Sequence, residues 1–374
     1  MNFDGKNDDE LNLNDDLNNE YKESPGRSLV WEDNDFNFFT LIDGKEVFIG
    51  RGKDVPYPLE EGDCWSLPNG RTFIYKNGAI KYITPQSQEK KLKECLEDLY
   101  EKFEESYLYS DPLGFVHKFK DIKDIEVAGF VAAGFAFGNV SQIIKILDKI
   151  NKIVNHKFYE FTINFNAADG LKFFKGFYYR FIKENDIVAL FLILSEILKK
   201  YGSIESFFLE GYNPSDFNLK NAIVSFSKRA LELVDFSPVY NSVVPPKDSM
   251  VHFFFTSPVD NSPCKRVNLY LRWMIRNSDN LDFGIWQGIQ PYQLIMPVDT
   301  HIGRISQYIG LTGYKNPSFK MAEEITENLK KLDYFDPIKY DFAITRLGIL
   351  DLCSKTKNEE NCKKCSIFNI CKLS

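Results

Sequence analysis

The chain has 374 residues, of which 44% are hydrophobic and 26% charged, a composition that suits a globular protein with one large domain and an accessory piece. No segment reaches the roughly 18 apolar residues of a membrane span, and the acidic N-terminus lacks the apolar core of a secretory signal. We therefore expect an intracellular, cytoplasmic and monomeric protein whose cysteines are reduced thiols.

The net charge of −7 is distributed unevenly along the chain. The first 35 residues contain 11 acidic and three basic residues, so they carry −8 and the remainder carries +1. The body of the protein is nearly neutral, and a nucleic acid is not excluded as a partner.

The N-terminal quarter divides into two regions. Residues 1–26 are rich in Asn, Asp and Glu without a period, which predicts an acidic disordered tail. Residues 27–85 predict a small β-rich accessory unit with two hairpins. The first hairpin turns at Asp43-Gly44 and the second at Asn77-Gly78, where glycine supplies the positive φ of a tight turn.

Residues 86–350 have helical periodicity and predict an all-α domain. The stretch from 127 to 150 is apolar and is interrupted at Gly134 and Gly138. Ile187 to Leu198 is apolar on nearly all sides, which predicts a central buried helix. Further helices are predicted near 217–234, 264–276, 299–309, 318–331 and 338–350.

Four of the seven cysteines lie in the last 22 residues, in a predicted cluster loop over 351–374. They are Cys353, Cys362, Cys365 and Cys371, with the spacing C-x8-C-x2-C-x5-C. Four thiolates in so short a segment are able to hold one tetrahedral metal ion or one cubane cluster. Structural zinc is one candidate, and a [4Fe–4S] cluster is the other.

A second motif favours the [4Fe–4S] cluster over structural zinc. Val298-Asp299-Thr300-His301-Ile302 resembles the V-D-T-H-[IV] segment of the helix-hairpin-helix DNA glycosylase superfamily, the endonuclease III-like proteins. Members of that superfamily often end in C-x6-C-x2-C-x5-C around a [4Fe–4S] cluster, so the first spacer here is longer by two residues. The resemblance implies a helix-hairpin-helix glycosylase-type domain, mainly α, followed by a cluster loop.

Residues 90–350 also resemble an uncharacterised bacterial family known as domain of unknown function 2400. The stretches that carry this resemblance are DPLGFVHKF, GFVAAGFAFGNVSQI, CKRVNLYLRWMIR, MPVDTHIGRI, KMAEEIT and KYDFAITRLGI.

The glycosylase resemblance implies two catalytic residues. In superfamily members that also cut the strand, a lysine that ends a G-x-G-x-K hairpin precedes the aspartate. Here Asn261-Ser262-Pro263-Cys264-Lys265 keeps the lysine and loses both glycines. Lys265 would attack the sugar C1′ of a flipped nucleotide, and Asp299 would stabilise the positive charge that develops on the sugar. The simpler alternatives are a solvated lysine at 265 and a helix N-cap at Asp299.

Several residues are candidates for contacts with DNA. Lys265, Arg272 and Arg276 share one face of the predicted helix over 264–276, which is either a phosphate-binding basic stripe or a solvated face. Arg266 adjoins the stripe, and Arg304 is a weaker candidate. Phe137 or Asn139 lies where glycosylases insert a side chain into the base stack, although the pattern favours a helix–helix turn packed by phenylalanines.

The sequence thus predicts a base-excision repair DNA glycosylase with AP lyase activity that binds DNA at a damaged base or an abasic site. A non-catalytic nucleic-acid-binding protein of the same fold is the main alternative, and an iron–sulfur protein that acts on RNA or nucleotides is a third. Lesion identity is not readable from the sequence.

Overall fold

A computed structural model describes residues 30–32, 37–42, 45–51, 55–56, 58–66, 72–76, 78–83, 87–103, 105–353, 356 and 359–372. The acidic tail predicted for residues 1–26 lies outside the described residues. The chain divides into two compact units, Met1–Thr84 and Pro85–Ser374.

The described part of the first unit consists of two antiparallel three-stranded sheets with the strand orders β1-β2-β3 and β4-β5-β6. Both predicted hairpins are present, because β2 pairs with β3 and β5 pairs with β6. Trp65 and Phe73 stack in its small core at a ring separation of 5.6 Å. The strands are β1 Val30–Glu32, β2 Asn37–Ile42, β3 Lys45–Arg51, β4 Cys64–Ser66, β5 Thr72–Lys76 and β6 Ala79–Ile83.

The second unit is mainly helical, as predicted, with one short hairpin formed by β7 (Tyr178–Tyr179) and β8 (Ile182–Lys183). Its helices are α1 Ser87–Lys102, α2 Leu113–Val116, α3 Ile122–Gly134, α4 Val140–Ile153, α5 Phe158–Ile163, α6 Ala167–Phe173, α7 Glu184–Tyr201, α8 Ile204–Leu209, α9 Lys220–Glu232, α10 Ser237–Tyr240, α11 Val251–Phe254, α12 Lys265–Ile275, α13 Thr300–Tyr308, α14 Phe319–Lys330, α15 Asp341–Ile349 and α16 Glu359–Lys363.

Helix α7 lies at the centre of this unit. Its apolar residues from Ile187 to Leu198 are almost all buried, as the sequence predicted. The helix ends at Gly202, whose φ of 81° is a left-handed conformation that glycine adopts without a Cβ penalty. None of the helices in the described residues is long and apolar enough to cross a membrane.

The elements that frame the functional site surround the N-terminus of α12. The predicted glycine interruption separates α3 from α4, so residues 135–139 form a turn between them. Helices α12, α13 and α15 begin and end within three residues of the predicted bounds. The loop that follows α12 leads to Asp299, which starts α13.

Candidate active site

A cleft of about 760 Å³ lies between the α3–α4 turn, the start of α12, the start of α13 and one face of α15. Ligand pockets in proteins commonly have volumes of about 300–1,000 Å³, so a nucleoside fits this space. Lys265 and Asp299, the two residues predicted to be catalytic, both line the cleft. They lie 34 positions apart in the chain, and the fold brings them to one site.

Lys265 is the first residue of α12 and is partly buried. Its Nζ donates a hydrogen bond of 2.9 Å to the main-chain carbonyl of Ala136 in the α3–α4 turn. This bond fixes the amine at the wall of the cleft, between the turn and the helix.

The turn before Lys265 uses two left-handed residues. Asn261 has a φ of 52° and Cys264 a φ of 48°. Asparagine tolerates this conformation better than most residues, so Asn261 supports a tight turn in the absence of glycine. Pro263 contributes no N–H to the turn, whereas the N–H of Cys264 donates to Ser262 Oγ at 3.2 Å.

Asp299 is the N-cap of α13. Its Oδ1 accepts hydrogen bonds from the backbone N–H groups of His301 and Ile302, at 2.8 and 2.9 Å. These bonds satisfy two of the amides that a helix leaves without a partner at its N-terminus. The capping alternative is therefore confirmed, and it is compatible with a second role because Asp299 also lines the cleft.

The floor of the cleft contains a carboxylate that sequence reasoning missed. Asp341, at the start of α15, lines the cleft and forms an ion pair with Nη1 of Arg272. Burial raises the pKa of Asp341 and Arg272 opposes this effect; more distantly, Asp299 raises the same pKa and Lys265 lowers it. Asp299 and Lys265 thus lie close enough to Asp341 to affect its ionisation.

The match to known families falls on this part of the chain. A family model described as "Protein of unknown function (DUF2400)" matches residues 111–350. The chain belongs to this family. No curated protein and no solved structure matches the chain. The DUF2400 region contains all the cleft-lining residues except Asp351, whereas the β-rich unit and Cys353, Cys362, Cys365 and Cys371 lie outside it.

The predicted basic stripe on α12 is wrong for two of its three members. Arg272 and Arg276 are only 2% and 1% exposed, and both are ion-paired. Arg272 lies between Asp282 and Asp341, and Arg276 contacts three carboxylates. Both guanidinium groups are engaged by carboxylates, so neither is available to a phosphate backbone. The partners of Arg276 are Asp279, Asp282 and Asp336.

Arg266 is less buried than Arg272 and Arg276, but it too is held in place. Its guanidinium lies over the ring of Phe253, 3.0 Å from the centroid, and its Nε donates to the carbonyl of Phe253 at 2.9 Å. Burial lowers the pKa of Arg266. It lines the cleft, so it is the arginine of the predicted set that adjoins the site.

Phe137 and Asn139 both line the cleft from the α3–α4 turn. The ring of Phe137 stacks on Phe181 at 5.2 Å and meets Phe253 edge-on at 4.8 Å, so the phenylalanine-packed turn is present. Asn139 is exposed and caps α4 through Oδ1, which accepts from the N–H of Ser141 at 2.9 Å.

His301 is a packed residue. Its ring lies against Gly348 of α15, and its Nδ1 is buried without a hydrogen-bond partner in the part of the chain that the structure describes. Arg304, one turn further along α13, lies away from the cleft. Its Nη2 donates to the carbonyl of Cys353 at 2.7 Å, so its assignment to DNA is not supported.

The C-terminal cysteines follow α15 and pack on the second unit. The N–H of Lys372 donates to the carbonyl of Tyr308 at 2.8 Å, and Ile367 is buried. All four cysteines are thiols. Burial raises the pKa of Cys353 to about 11, and Cys365, Cys371 and Cys362 raise it as well. Among the residues that the structure describes, no three His, Cys, Asp or Glu side chains stand at the spacing of a formed metal site.

Sequence reasoning missed Asp341 and Thr345 of α15, both in the cleft lining. One signal for them was available. Asp341 and Arg346 lie in an otherwise apolar helix, and ionisable residues in such a helix are commonly buried and paired. Asp341 and Arg346 are both buried and paired. The partner of Arg346 is Asp111, which also lines the cleft.

Proposed function

We propose that the protein is a DNA glycosylase with AP lyase activity, in which Lys265 is the nucleophile and Asp299 stabilises the developing positive charge. The observation that carries this proposal is that both residues line one cleft of about 760 Å³, although 33 residues separate them in the sequence. A lysine and an aspartate without a shared cleft would have no joint chemistry to perform.

The backbone around Lys265 supports a helix-hairpin-helix arrangement. Helix α11 and a 3₁₀ turn at Pro258–Asp260 precede the turn at 261–264, and α12 follows. In the superfamily this hairpin contacts a DNA phosphate through backbone N–H groups. Asn261 provides the left-handed residue of such a hairpin, whereas Pro263 removes one potential donor.

The chemistry would begin with a nucleotide that leaves the base stack, at a cost of a few kcal/mol. The neutral amine of Lys265 attacks C1′, and the electron pair of the glycosidic bond leaves with the base, which takes up a proton. The sugar ring then opens to a Schiff base, and O4′ takes up a proton that Nζ gives up. In the β-elimination a C2′ proton is lost to solvent and the C3′–O bond breaks, so that the 3′ phosphate leaves with the downstream strand. The bond between Lys265 Nζ and the carbonyl of Ala136 would hold the nitrogen at the wall of the cleft.

Asp299 is suited to electrostatic stabilisation. Its Oδ1 is engaged by two backbone N–H groups, and this engagement fixes the position of the carboxylate. A charge that is already oriented needs no reorganisation when positive charge develops on the sugar. Arg266, Phe137 and Asn139 would contact the DNA around the cleft, whereas Arg272 and Arg276 have a structural role.

The decisive experiment is borohydride trapping. The full-length protein is incubated with duplex oligonucleotides that carry a broad panel of damaged bases or an abasic site, and the Schiff base is reduced. We expect a covalent adduct that Lys265→Ala abolishes and that the control Lys320→Ala, an exposed lysine of α14, leaves intact. No adduct and no base release with any lesion would reject the proposal.

The alternative is a nucleic-acid-binding protein that lacks the chemistry. The hydrogen bond that engages Lys265 Nζ and the burial of Arg272 and Arg276 are compatible with it. It predicts salt-dependent binding without turnover. Parallel binding of duplex DNA, single-stranded DNA and RNA at physiological salt would then identify the ligand.

We further propose that Cys353, Cys362, Cys365 and Cys371 hold a [4Fe–4S] cluster, with zinc as the alternative. The donor set fits, because four thiols lie in one short segment. Burial raises the pKa of Cys353 and of Cys365, and the other cysteines of the segment add to this rise, so the thiols lie near one another. A bound cluster would supply a structural link that fastens this segment. We expect the purified protein to be brown and to contain iron and sulfide. Cys362→Ser should lose the colour and the iron, whereas Cys95→Ser should keep both. A colourless protein with stoichiometric zinc would favour the alternative.

A further inference from the structure

The floor of the cleft offers hydrogen-bond acceptors rather than donors. Arg272 lines the cleft, but all three of its guanidinium nitrogens donate to carboxylates. Its Nε and Nη2 donate to Asp282, and its Nη1 donates to Asp341. Three of the five N–H groups of this guanidinium are therefore committed to carboxylates rather than to a ligand.

The buried charges behind this floor do not balance. Two guanidinium groups, from Arg272 and Arg276, are surrounded by four carboxylates. This cluster carries two more negative than positive charges if every group is ionised, and the low dielectric of the interior makes such an excess unfavourable. The carboxylates are Asp279, Asp282, Asp336 and Asp341, and the last of these lines the cleft.

Asp341 retains acceptor capacity toward the cleft. One oxygen is paired with Arg272. Among the residues that the structure describes, the other oxygen accepts only a long hydrogen bond of 3.4 Å, from the hydroxyl of Thr345. An ionised carboxylate has about four lone-pair sites. Lys265 and Asp299 face Asp341 from α12 and from the start of α13, and Lys265 Nζ already donates to Ala136.

We propose that Asp341 is a specificity-determining residue that selects a base with an exocyclic amino group. The apolar walls formed by Leu269, Val298 and Phe342 would pack against the faces of the base, and its amino edge would donate to Asp341. A carbonyl oxygen in place of that amino group sets acceptor against acceptor and leaves a buried carboxylate without this donor. This inference rests on the proposed function, because it takes the ligand of the cleft to be a nucleotide base.

Paired nucleosides test the inference without requiring catalysis. Guanosine and inosine differ by the 2-amino group, and cytidine and uridine differ by an amino group against a carbonyl. We expect the full-length protein, titrated by ligand-observed NMR, to bind the amino-bearing member of each pair about tenfold more tightly. N4,N4-dimethylcytidine, which has lost both amino N–H groups, should bind as weakly as uridine.

Two variants separate recognition from folding. Asp341→Asn and Asp282→Asn each remove one ionic partner of Arg272, but Asp341 alone of the two lines the cleft. We expect Asp282→Asn to keep the tenfold preference and Asp341→Asn to reduce it to about twofold or less. If Asp341→Asn does not fold, the comparison of cytidine with its dimethyl analogue on the unaltered protein still tests whether the cleft prefers an amino group.

Three results would overturn the inference: equal affinity within both nucleoside pairs, an undiminished preference in Asp341→Asn, or binding of none of the nucleosides. None of these results depends on a lysine adduct. If the protein traps DNA but binds both members of each pair equally, only this inference is wrong. If it shows the preference but forms no adduct, only the catalytic proposal is wrong.

Discussion

The imidazole of His301 lies against Gly348 where α13 meets α15. A Cβ at position 348 would stand closer than 3.0 Å to three atoms of the His301 side chain. Asp299, two residues before His301, lines the cleft, and so does Gly348 itself. The position of the catalytic candidate is thus linked to the absence of a side chain on the neighbouring helix.

Gly348→Ala should therefore destabilise the protein. Alanine is the better helix former by about 1 kcal/mol, but overpacking here should cost about 1–3 kcal/mol and displace the start of α13. Denaturant unfolding measures the change, and borohydride trapping should weaken in parallel. Gly313→Ala is the matched control, because a Cβ there meets no atom within 4 Å. Equal free energies of unfolding for the two variants would contradict the prediction.

Arg276→Met should be strongly destabilising. The guanidinium of Arg276 is 1% exposed and is bonded to Asp279, Asp282 and Asp336, so its removal leaves buried carboxylates without their cation. Loss of one partner from a buried ion pair costs about 3–5 kcal/mol. Lys118→Met, which breaks a half-exposed pair with Asp148, should cost less than about 1 kcal/mol. A small loss in Arg276→Met would mean that the network contributes little to stability.

The sequence was sufficient for the helices but not for this network. Helical periodicity located α12, α13 and α15 within three residues, since each buries one apolar face. The same periodicity placed Arg272 and Arg276 on a common face but left open what covers that face. Their partners lie up to 69 residues away in the chain, so only the tertiary fold reveals that the face is buried.

In the cleft, too, local features could be predicted from the sequence and long-range contacts could not. Asp299 could be predicted as a helix cap because a cap is a local feature, and the cap is present. Asp341 and Ala136, which act on Lys265 from distant elements, left no local signal that connects them to it.

Asp279→Asn should change how stability depends on pH. Burial opposes ionisation of Asp279, but Arg276 and the hydrogen bond from Tyr100 outweigh this effect and lower its pKa below 3.8. A lowered folded-state pKa contributes stability that is present above the unfolded value of about 3.9 and is lost as the pH falls through the folded value. The variant should thus be less stable than the unaltered protein at pH 7, and the gap should narrow below about pH 4. Urea unfolding across this range measures it, and a gap independent of pH would assign the loss to packing.

Two substitutions at Asp299 should separate its capping role from its chemistry. Asparagine keeps a side-chain oxygen that accepts from the N–H groups of His301 and Ile302, so Asp299→Asn should unfold within about 0.5 kcal/mol of the unaltered protein. Asp299→Ala loses both bonds and should cost about 0.5–2 kcal/mol. Both variants lose the carboxylate charge, and both should therefore lose borohydride trapping. Efficient trapping by Asp299→Asn would leave Asp299 with its capping role alone. The charge stabilisation would then have to come from another carboxylate in the cleft. Asp341 is the candidate, because it lines the cleft and Lys265 lowers its pKa.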